Sequence, residues 1–399
     1  MEQNRKKTII IGCGIAGPTL AMALQKCGIE STIYESQESP SDNRGLFLHL
    51  GPNGVNILKT LGIEKIVREN GHPCNNYVFE KHNGAIITRI STKDDEEKYG
   101  TRGIIIKRGI MQKIMREQIE SRGIKIEWGK QLKNITVNDD ADTAIAHFED
   151  DSSVSSYCVI GCDGLHSRTR KIMMPDAPMP KYSGHVAAGG FAQNQTKQPQ
   201  NELSFHFGKK AYMIYFVTKD KEAMWGAHLS IDESLLHKIK SVSHQQWRQQ
   251  VSDLYDKDAS HIGEFTKTDG NFTRIPLYDI ESLPKWYNGL VCLVGDSAHA
   301  TTPHIGQGAS IAMESSLVLA KCLRDIPDIQ NAFATYQKLR KPRVEKMIVL
   351  ARRSGRMFTS TNPIGKLIRN IMIPIMMKRN PEQFDDIYGY KIDWDEKIK

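Results

Sequence analysis

Two rhythms of apolar and polar positions run along the 399-residue chain and predict two kinds of sheet. The first is a series of short apolar runs, each set against a helical pattern. Thr8-Ile9-Ile10-Ile11 predicts a buried parallel strand, a helix with Leu20, Ala23 and Leu24 on one face follows and closes at Gly28, and Ser31 to Tyr34 predicts a second buried strand. Ile104 to Ile106, Ile124 to Trp128, Tyr157 to Cys162 and Gly289 to Val294 read the same way, with helices at Ile110 to Glu120 and Ile311 to Leu323. The second rhythm is strict alternation. It predicts a strand after Arg44, a hairpin over residues 76–89 turning at Asn83-Gly84, and a meander from Leu132 to Val137 and Thr143 to Phe148. It also predicts a separate sheet between Tyr182 and Trp225 that includes Ser204 to Phe207 and Ala211 to Phe216. Helices are expected at Val55 to Leu61, Glu64 to Glu69, Leu235 to Ile239 and His244 to Leu254, and the charged run Lys93 to Lys98 reads as a solvated loop. The sum is an α/β chain, a Rossmann-type domain carrying an inserted antiparallel sheet and ending in a helical region.

Composition changes this picture little. A hydrophobic content of 39% and a charged content of 25% suit a globular chain with a large core, and the length exceeds what one core usually serves. The net charge of +8 is spread along the chain with no aromatic and basic reading surface, so nucleic acid is not an expected partner. Seven cysteines without a Cys-x-x-Cys spacing point to buried fillers, with no disulfide and no metal site. The opening Met1 to Lys7 is too short and polar for a signal peptide, which leads to the expectation of a cytoplasmic protein.

The chemistry sits at the ends of the buried strands. Gly12-Cys13-Gly14-Ile15-Ala16-Gly17 is G-x-G-x-x-G between a strand and a helix, with Glu35 ending the next strand. Gly12 permits the tight turn, Gly14 lets backbone approach a pyrophosphate, Gly17 lets helix and strand pack, and Glu35 is placed to accept ribose hydroxyls, with Ser36 beside it. Arg44 and Arg108 are candidate cofactor contacts; a surface role serves Arg44 equally, whereas a cation in the first turn of a helix, as at Arg108, asks for an anion nearby. Asp163-Gly164-Leu165-His166-Ser167-Arg168-Thr169-Arg170 follows another buried strand; it reads either as a ligand contact at the crevice or as a helix with Asp163 for its own cap. Gly295-Asp296 follows a third, and leads through Pro303, Gly306 and Gly308-Ala309 into a long helix. There, backbone can lie against a flat ring and N–H groups can face an anion.

These three ordered motifs resemble the fingerprints of the class A flavoprotein monooxygenases, the p-hydroxybenzoate hydroxylase family, over nearly the whole chain. The resemblance implies a glutathione-reductase-like FAD-binding domain built from residues 1–75, 101–180 and 276–345, a substrate domain of 181–275 with the 76–100 hairpin, and a C-terminal helical region over 346–399. It implies FAD as cofactor, NADH or NADPH as a transient reductant, and O2 as co-substrate, with hydroxylation of an aromatic or polycyclic small molecule through a flavin C4a-hydroperoxide. A tetracycline-inactivating monooxygenase and a non-oxygenating FAD-dependent reductase remain alternatives. Relatives acting on urate carry an arginine after Gly-Lys and a tyrosine on the next strand, where this chain has Lys209-Lys210 and Met224-Trp225, which disfavours urate. Candidate substrate contacts are His206, Lys210, Tyr215, Trp225 and His304, the histidines either as acid-base groups or as shape and hydrogen-bond residues. No catalytic residue is singled out. The apolar and basic segment Ile364 to Arg379 is too short to span a bilayer, and it is expected to pack across the substrate opening rather than to lie on a membrane, in a monomer or a homodimer.

Overall fold

The computed structural model describes residues 7–42, 45–138, 142–193, 198–267, 272–360, 362–379 and 381–398. Arg44 lies outside them. Among the described residues Ile104–Lys107 pairs antiparallel with Phe47–Leu50 and His72–Pro73 in a small sheet of its own, and the rest of the first rhythm becomes a six-stranded sheet in the order Tyr287–Asn288, Val291–Leu293, Cys158–Gly161, Thr8–Ile11, Ser31–Tyr34, Lys125–Glu127. All its pairings are parallel except the first, and every residue of Thr8–Ile11 and Ser31–Tyr34 is buried. Such strands are covered on both faces, which is why they carry no alternation. The helices Ala16–Lys26 and Gly308–Asp325 pack against each other on this sheet, and Ser316 Oγ donates to the Ala16 carbonyl at 3.1 Å.

The alternating rhythm builds a seven-stranded sheet ordered Phe272–Asp279, Lys181–Gln193, Glu222–Ser230, Tyr212–Val217, Glu202–Phe207, Asn76–Lys81, Ile86–Ser91. The 76–91 hairpin joins it through the parallel pair Asn76–Lys81 and Glu202–Phe207. Its two faces bury different cores. Leu203, Phe207, Tyr212, Phe216 and Met224 face the nucleotide-type domain, while Met213, Tyr215, Val217 and Trp225 face the helices Leu236–Ser241, His244–Leu254 and Ser260–Lys267.

Several elements differ from the sequence reading, the unpredicted short helices Ser260–Lys267 and Pro381–Tyr388 among them. Asp95–Tyr99 is a short helix, where a loop was expected at Lys93 to Lys98. Asp95, Glu96 and Glu97 in its first turn suit the helix dipole, Gly100 closes it at φ +84°, and Tyr99 is buried. The longest helix, Ile329–Phe358, goes beyond the predicted elements; Asp328 caps it by accepting from the Asn331 N–H at 2.8 Å. The helix Pro363–Arg379 does reach the rim of the substrate sheet, with Arg369 lying 4.1 Å from the centre of the Phe207 ring. Its apolar stripe, however, faces outward.

Candidate active site

The adenylate end of the site is set by the first strand and helix. Gly12 has φ +105°, and a Cβ there would stand 2.6 Å from the Cys162 carbonyl oxygen; a Cβ on Gly17 would stand 2.1 Å from the Gly12 carbonyl oxygen. Both must be glycine. A Cβ on Gly14 would meet nothing within 4 Å, so this part of the loop faces open space. The Ala16–Lys26 helix begins at Ile15 without a side-chain cap, leaving N–H groups for an anion. Glu35 turns back to the loop: its Oε2 accepts from the Cys13 N–H at 2.7 Å, and its Oε1 accepts from the Gln37 N–H at 3.0 Å and from Ser36 Oγ at 3.1 Å. A cavity of about 270 Å³ opens here, walled by Glu35, Arg108, Gln112, Trp128 and the Asp42–Arg116 ion pair.

Asp296 begins the turn after Val291–Leu293. It is open to solvent yet ringed by protein, and burial raises its carboxyl pKa against the opposing pull of Arg108. A carboxylate so placed lies at the bottom of a crevice, with the Arg108 charge across from it. Asp163 has a different task. Its Oδ1 accepts from Ser167 Oγ at 2.6 Å, and its Oδ2 accepts from both the N–H and the Oγ1 of Thr169 at 2.9 Å. The carboxylate is thus occupied in holding its own turn. Buried Arg170, in the same motif, donates to the Ser297 carbonyl at 2.9 Å, so the second motif braces the third.

The ring end is Pro303–Ile305, Gly306 and the start of Gly308–Asp325, which has no side-chain cap at Gln307. Buried polar atoms without a partner gather at this turn: Thr301 Oγ1, Thr302 Oγ1, His304 Nδ1, Gln307 Nε2, Ser310 Oγ and Asn53 Oδ1. Unpaired buried groups cost free energy unless a ligand meets them. Together with the open Gly14 loop, the uncapped helix starts and Glu35, they fit a dinucleotide whose far end is a flat ring with a polar edge, as FAD has. Behind the turn, Asn53 Nδ2 donates to Gln307 Oε1 at 2.9 Å and to Glu314 Oε1 at 2.6 Å, and Glu314 takes further bonds from Arg340 and Arg343.

Against the Pro303–Gly306 turn lies an apolar cavity of about 110 Å³. Its wall includes Phe79, Phe205 and Ile214 from the large sheet, Phe358 from the long helix and Tyr388 from the last one. Its polar points are His49, His304 and Ser354, and the Nε2 of His49 lies 3.0 Å from the Tyr77 hydroxyl. Burial lowers the His49 pKa to about 4, so the ring is neutral at pH 7, a hydrogen-bonding group and a weak base. His304 separates this cavity from a polar one of about 300 Å³ that contains Lys181, Arg352 and Arg356.

Of the five sequence candidates for substrate contact, His304 alone reaches the cavity wall. Strand parity turns His206, Tyr215 and Trp225 away from it. Phe205 faces the cavity, so its neighbour His206 faces the other side, where its Nδ1 meets Glu80 at 2.8 Å and its Nε2 meets Asp258 at 3.2 Å. Burial opposes its charge, but these two carboxylates outweigh burial and raise its pKa. Tyr215 joins this buried cluster, bonding to Glu80 at 3.2 Å, and Trp225 packs on Phe272 in the second core. Lys210 is exposed at a turn and pairs with Asp256. Glu80, His206 and His261 are near enough to one another to hold a metal ion, but both ring nitrogens of His206 are already met by carboxylates, as an imidazolium requires.

Known proteins share this arrangement. Residues 5–351 match the family described as FAD binding domain. The chain is 27% identical over 382 residues to 6-hydroxynicotinate 3-monooxygenase of Bordetella bronchiseptica, covering 90% of this chain and 94% of that one. It is 29% identical over 359 residues to FAD-dependent urate hydroxylase of Klebsiella pneumoniae, covering 87% and 89%. The crystal structure of Klebsiella pneumoniae HpxO complexed with FAD and uric acid superposes with a TM-score of 0.87 at 24% identity over 96% of this chain and 97% of that one, a likeness of fold. With its glycine loop, its acid at Glu35 and its uncapped helix start at Gly308 in one crevice, the chain belongs to the FAD-binding-domain family of class A flavoprotein monooxygenases.

Proposed function

We propose that this FAD-dependent monooxygenase hydroxylates a single-ring hydroxylated arene or heteroarene bound between the Pro303–Gly306 turn and the Phe79, Phe205 and Phe358 rings. The carrying observation is the neutral His49, hydrogen-bonded to Tyr77, at a polar point of a largely apolar cavity. FAD, reduced by NADH or NADPH, supplies from O2 the oxygen atom that the substrate gains. The protein's residues supply the rest. A ring hydroxyl placed against His49 and Tyr77 is oriented by a hydrogen bond with the neutral imidazole, and its oxygen lone pair raises electron density at the neighbouring ring carbons. The N–H groups at Gly308 and Ala309 face the ring end of the cofactor crevice and favour negative charge there. Phe79, Phe205, Phe358 and Tyr388 keep water from that carbon.

Size supports one ring. A cavity of about 150 Å³ holds benzene; this one measures about 110 Å³, so it admits at most one ring and only with some give in its wall. A four-ring polyketide of the tetracycline kind needs more room. The test is NADH or NADPH oxidation in the presence of hydroxypyridines, hydroxybenzoates, oxopurines and four-ring tetracyclines, with product mass. Stimulated oxidation and a product heavier by one oxygen atom are expected for a hydroxylated single ring. Stimulation by four-ring compounds alone, or none by any single-ring compound, overturns the reading.

A further inference from the structure

The Pro363–Arg379 helix is built the wrong way round for a helix on a water-facing surface. Such helices turn apolar residues in and polar residues out. Here Arg369 and Ile373, one turn apart, face the protein and are 3% and 0% exposed. Arg369 donates to the Phe358 carbonyl at 3.3 Å, and burial lowers its pKa to about 10. The outward face carries Ile364, Leu367, Ile368, Ile371, Met372 and Ile375, exposed between 45% and 68%. Their spacing of three and four residues makes one continuous stripe about 17 Å long at 1.5 Å per residue. Ile86, on the strand that packs against this helix, extends it and is 53% exposed. Nearly half of the large hydrophobic side chains exposed among the described residues lie on this one helix. A soluble surface rarely leaves such a patch uncovered.

We propose that this stripe docks the protein on the surface of an anionic lipid bilayer. Charge selects the occupant. Between residues 363 and 379, besides the inward-facing Arg369, the sequence has Lys366, Lys378 and Arg379 and no acidic residue. Lys366 Nζ donates to the carbonyl of exposed Lys209, bringing the Lys209-Lys210 turn beside the stripe. A second copy of this chain offers the wrong partner: paired parallel or antiparallel, the two helices set basic segments against basic segments. Anionic headgroups accept the lysines while the stripe enters the acyl boundary. Insertion stops there, since among the described residues no helix is long and apolar enough to cross a membrane.

The test is co-sedimentation of the full flavin-loaded chain with vesicles of phosphatidylglycerol and phosphatidylcholine mixed, and of phosphatidylcholine alone. Binding is expected to the anionic vesicles, weakening with salt, and falling by more than about tenfold when Ile368→Glu and Ile371→Glu are combined. Retained flavin absorbance shows that the variant is folded; if flavin is lost, Leu367→Gln with Ile371→Gln replaces it. Equal binding to both vesicles, binding untouched by the substitutions, or no binding overturns the proposal. So does a two-chain mass in solution that the same substitutions reduce to one chain, which would assign the stripe to a second copy.

Discussion

Replacing Glu314 by glutamine removes one charge from the most enclosed ion cluster of the cofactor domain, and the cost can be worked from its partners. Glu314 is fully buried and accepts from Arg340 Nη2 at 2.6 Å, Arg343 Nε at 2.8 Å, Arg343 Nη2 at 2.9 Å and Asn53 Nδ2 at 2.6 Å. Glutamine keeps the shape but turns an NH2 group toward donors and leaves the fully buried Arg340 guanidinium without a counter-charge. Breaking a buried pair in this way costs about 3–5 kcal/mol. An unfolding entropy of about 2.1 cal/mol/K per residue gives about 0.8 kcal/mol/K for a chain of this length, hence a fall in Tm of about 4–6 °C for Glu314→Gln at pH 7. The pH dependence identifies the cause. Burial pushes the Glu314 carboxyl upward, but Arg340 and Arg343 outweigh it and hold the group below its ordinary value. A depressed folded pKa means stability that is present above the unfolded pKa and is lost as acid protonates the folded carboxyl. The gap in Tm between the two proteins is therefore widest near neutrality and narrows in acid. Thermal melts followed by circular dichroism and flavin fluorescence measure both. A shift below about 1 °C at pH 7, or a gap that is the same in acid, refutes the reasoning.

Other predictions concern the site itself. His49→Leu removes the hydrogen bond that orients the substrate hydroxyl, at a cost of about 1–3 kcal/mol, and lowers kcat/KM by about 10–100-fold; an unchanged kcat/KM removes His49 from the substrate's contacts. Gly17→Ala places a Cβ 2.1 Å from the Gly12 carbonyl oxygen and yields protein that purifies without flavin colour; a yellow, fully loaded variant would show that the loop can shift. The His206 pKa is raised by Asp258 and Glu80 against burial, so its contribution is full below the unfolded value and is lost as pH rises through the folded one. Melts between about pH 6 and 9 should show that decline in the native chain and lose it in His206→Asn; an unchanged profile contradicts a buried imidazolium.

The cofactor half of the molecule was legible because its signals are local. A run such as Thr8 to Ile11 is buried wherever it packs, and a glycine loop between strand and helix closes within a few residues of itself. The motif around Asp163 shows the limit of such reading. Its two interpretations differ only in what the carboxylate touches, and the bonds to Ser167 and Thr169 assign the acid to the loop, while Arg170 reaches forward to Ser297. One further signal was present. Glu314 lies in an apolar run, Ile311 to Leu323, on a face that must be buried, and a buried acid asks for a cation. Its partners Arg340 and Arg343 are some 26 to 29 residues away on another helix, and nothing in sequence spacing joins them.

The substrate half hides for a geometric reason. A strand with apolar side chains on both faces gives no alternation to say which face meets the cofactor, and a one-residue error exchanges the whole set. Ser204-Phe205-His206-Phe207 does alternate, but both its faces are covered and alternation does not say which one meets the cofactor: polar chemistry suggests His206 for the cavity, yet the cavity is apolar and takes Phe205, while His206 pairs with Glu80 and Asp258 behind the sheet. The residues that do line the cavity come from positions as distant as His49, Phe79, Phe358 and Tyr388, and each alone reads as ordinary core. They become a site only because the network from Gln307 through Asn53, Glu314 and Arg343 continues to the Asp386 and Ile387 carbonyls, at 2.6 and 3.0 Å. The bonds that set the start of the Gly308 helix therefore also seat the turn carrying Tyr388 over the cavity. On this geometry, a change at Arg343 that spares the flavin loop should loosen the cavity roof first, raising the substrate KM before flavin is released; loss of flavin with KM unchanged would show that the two ends of the network act separately.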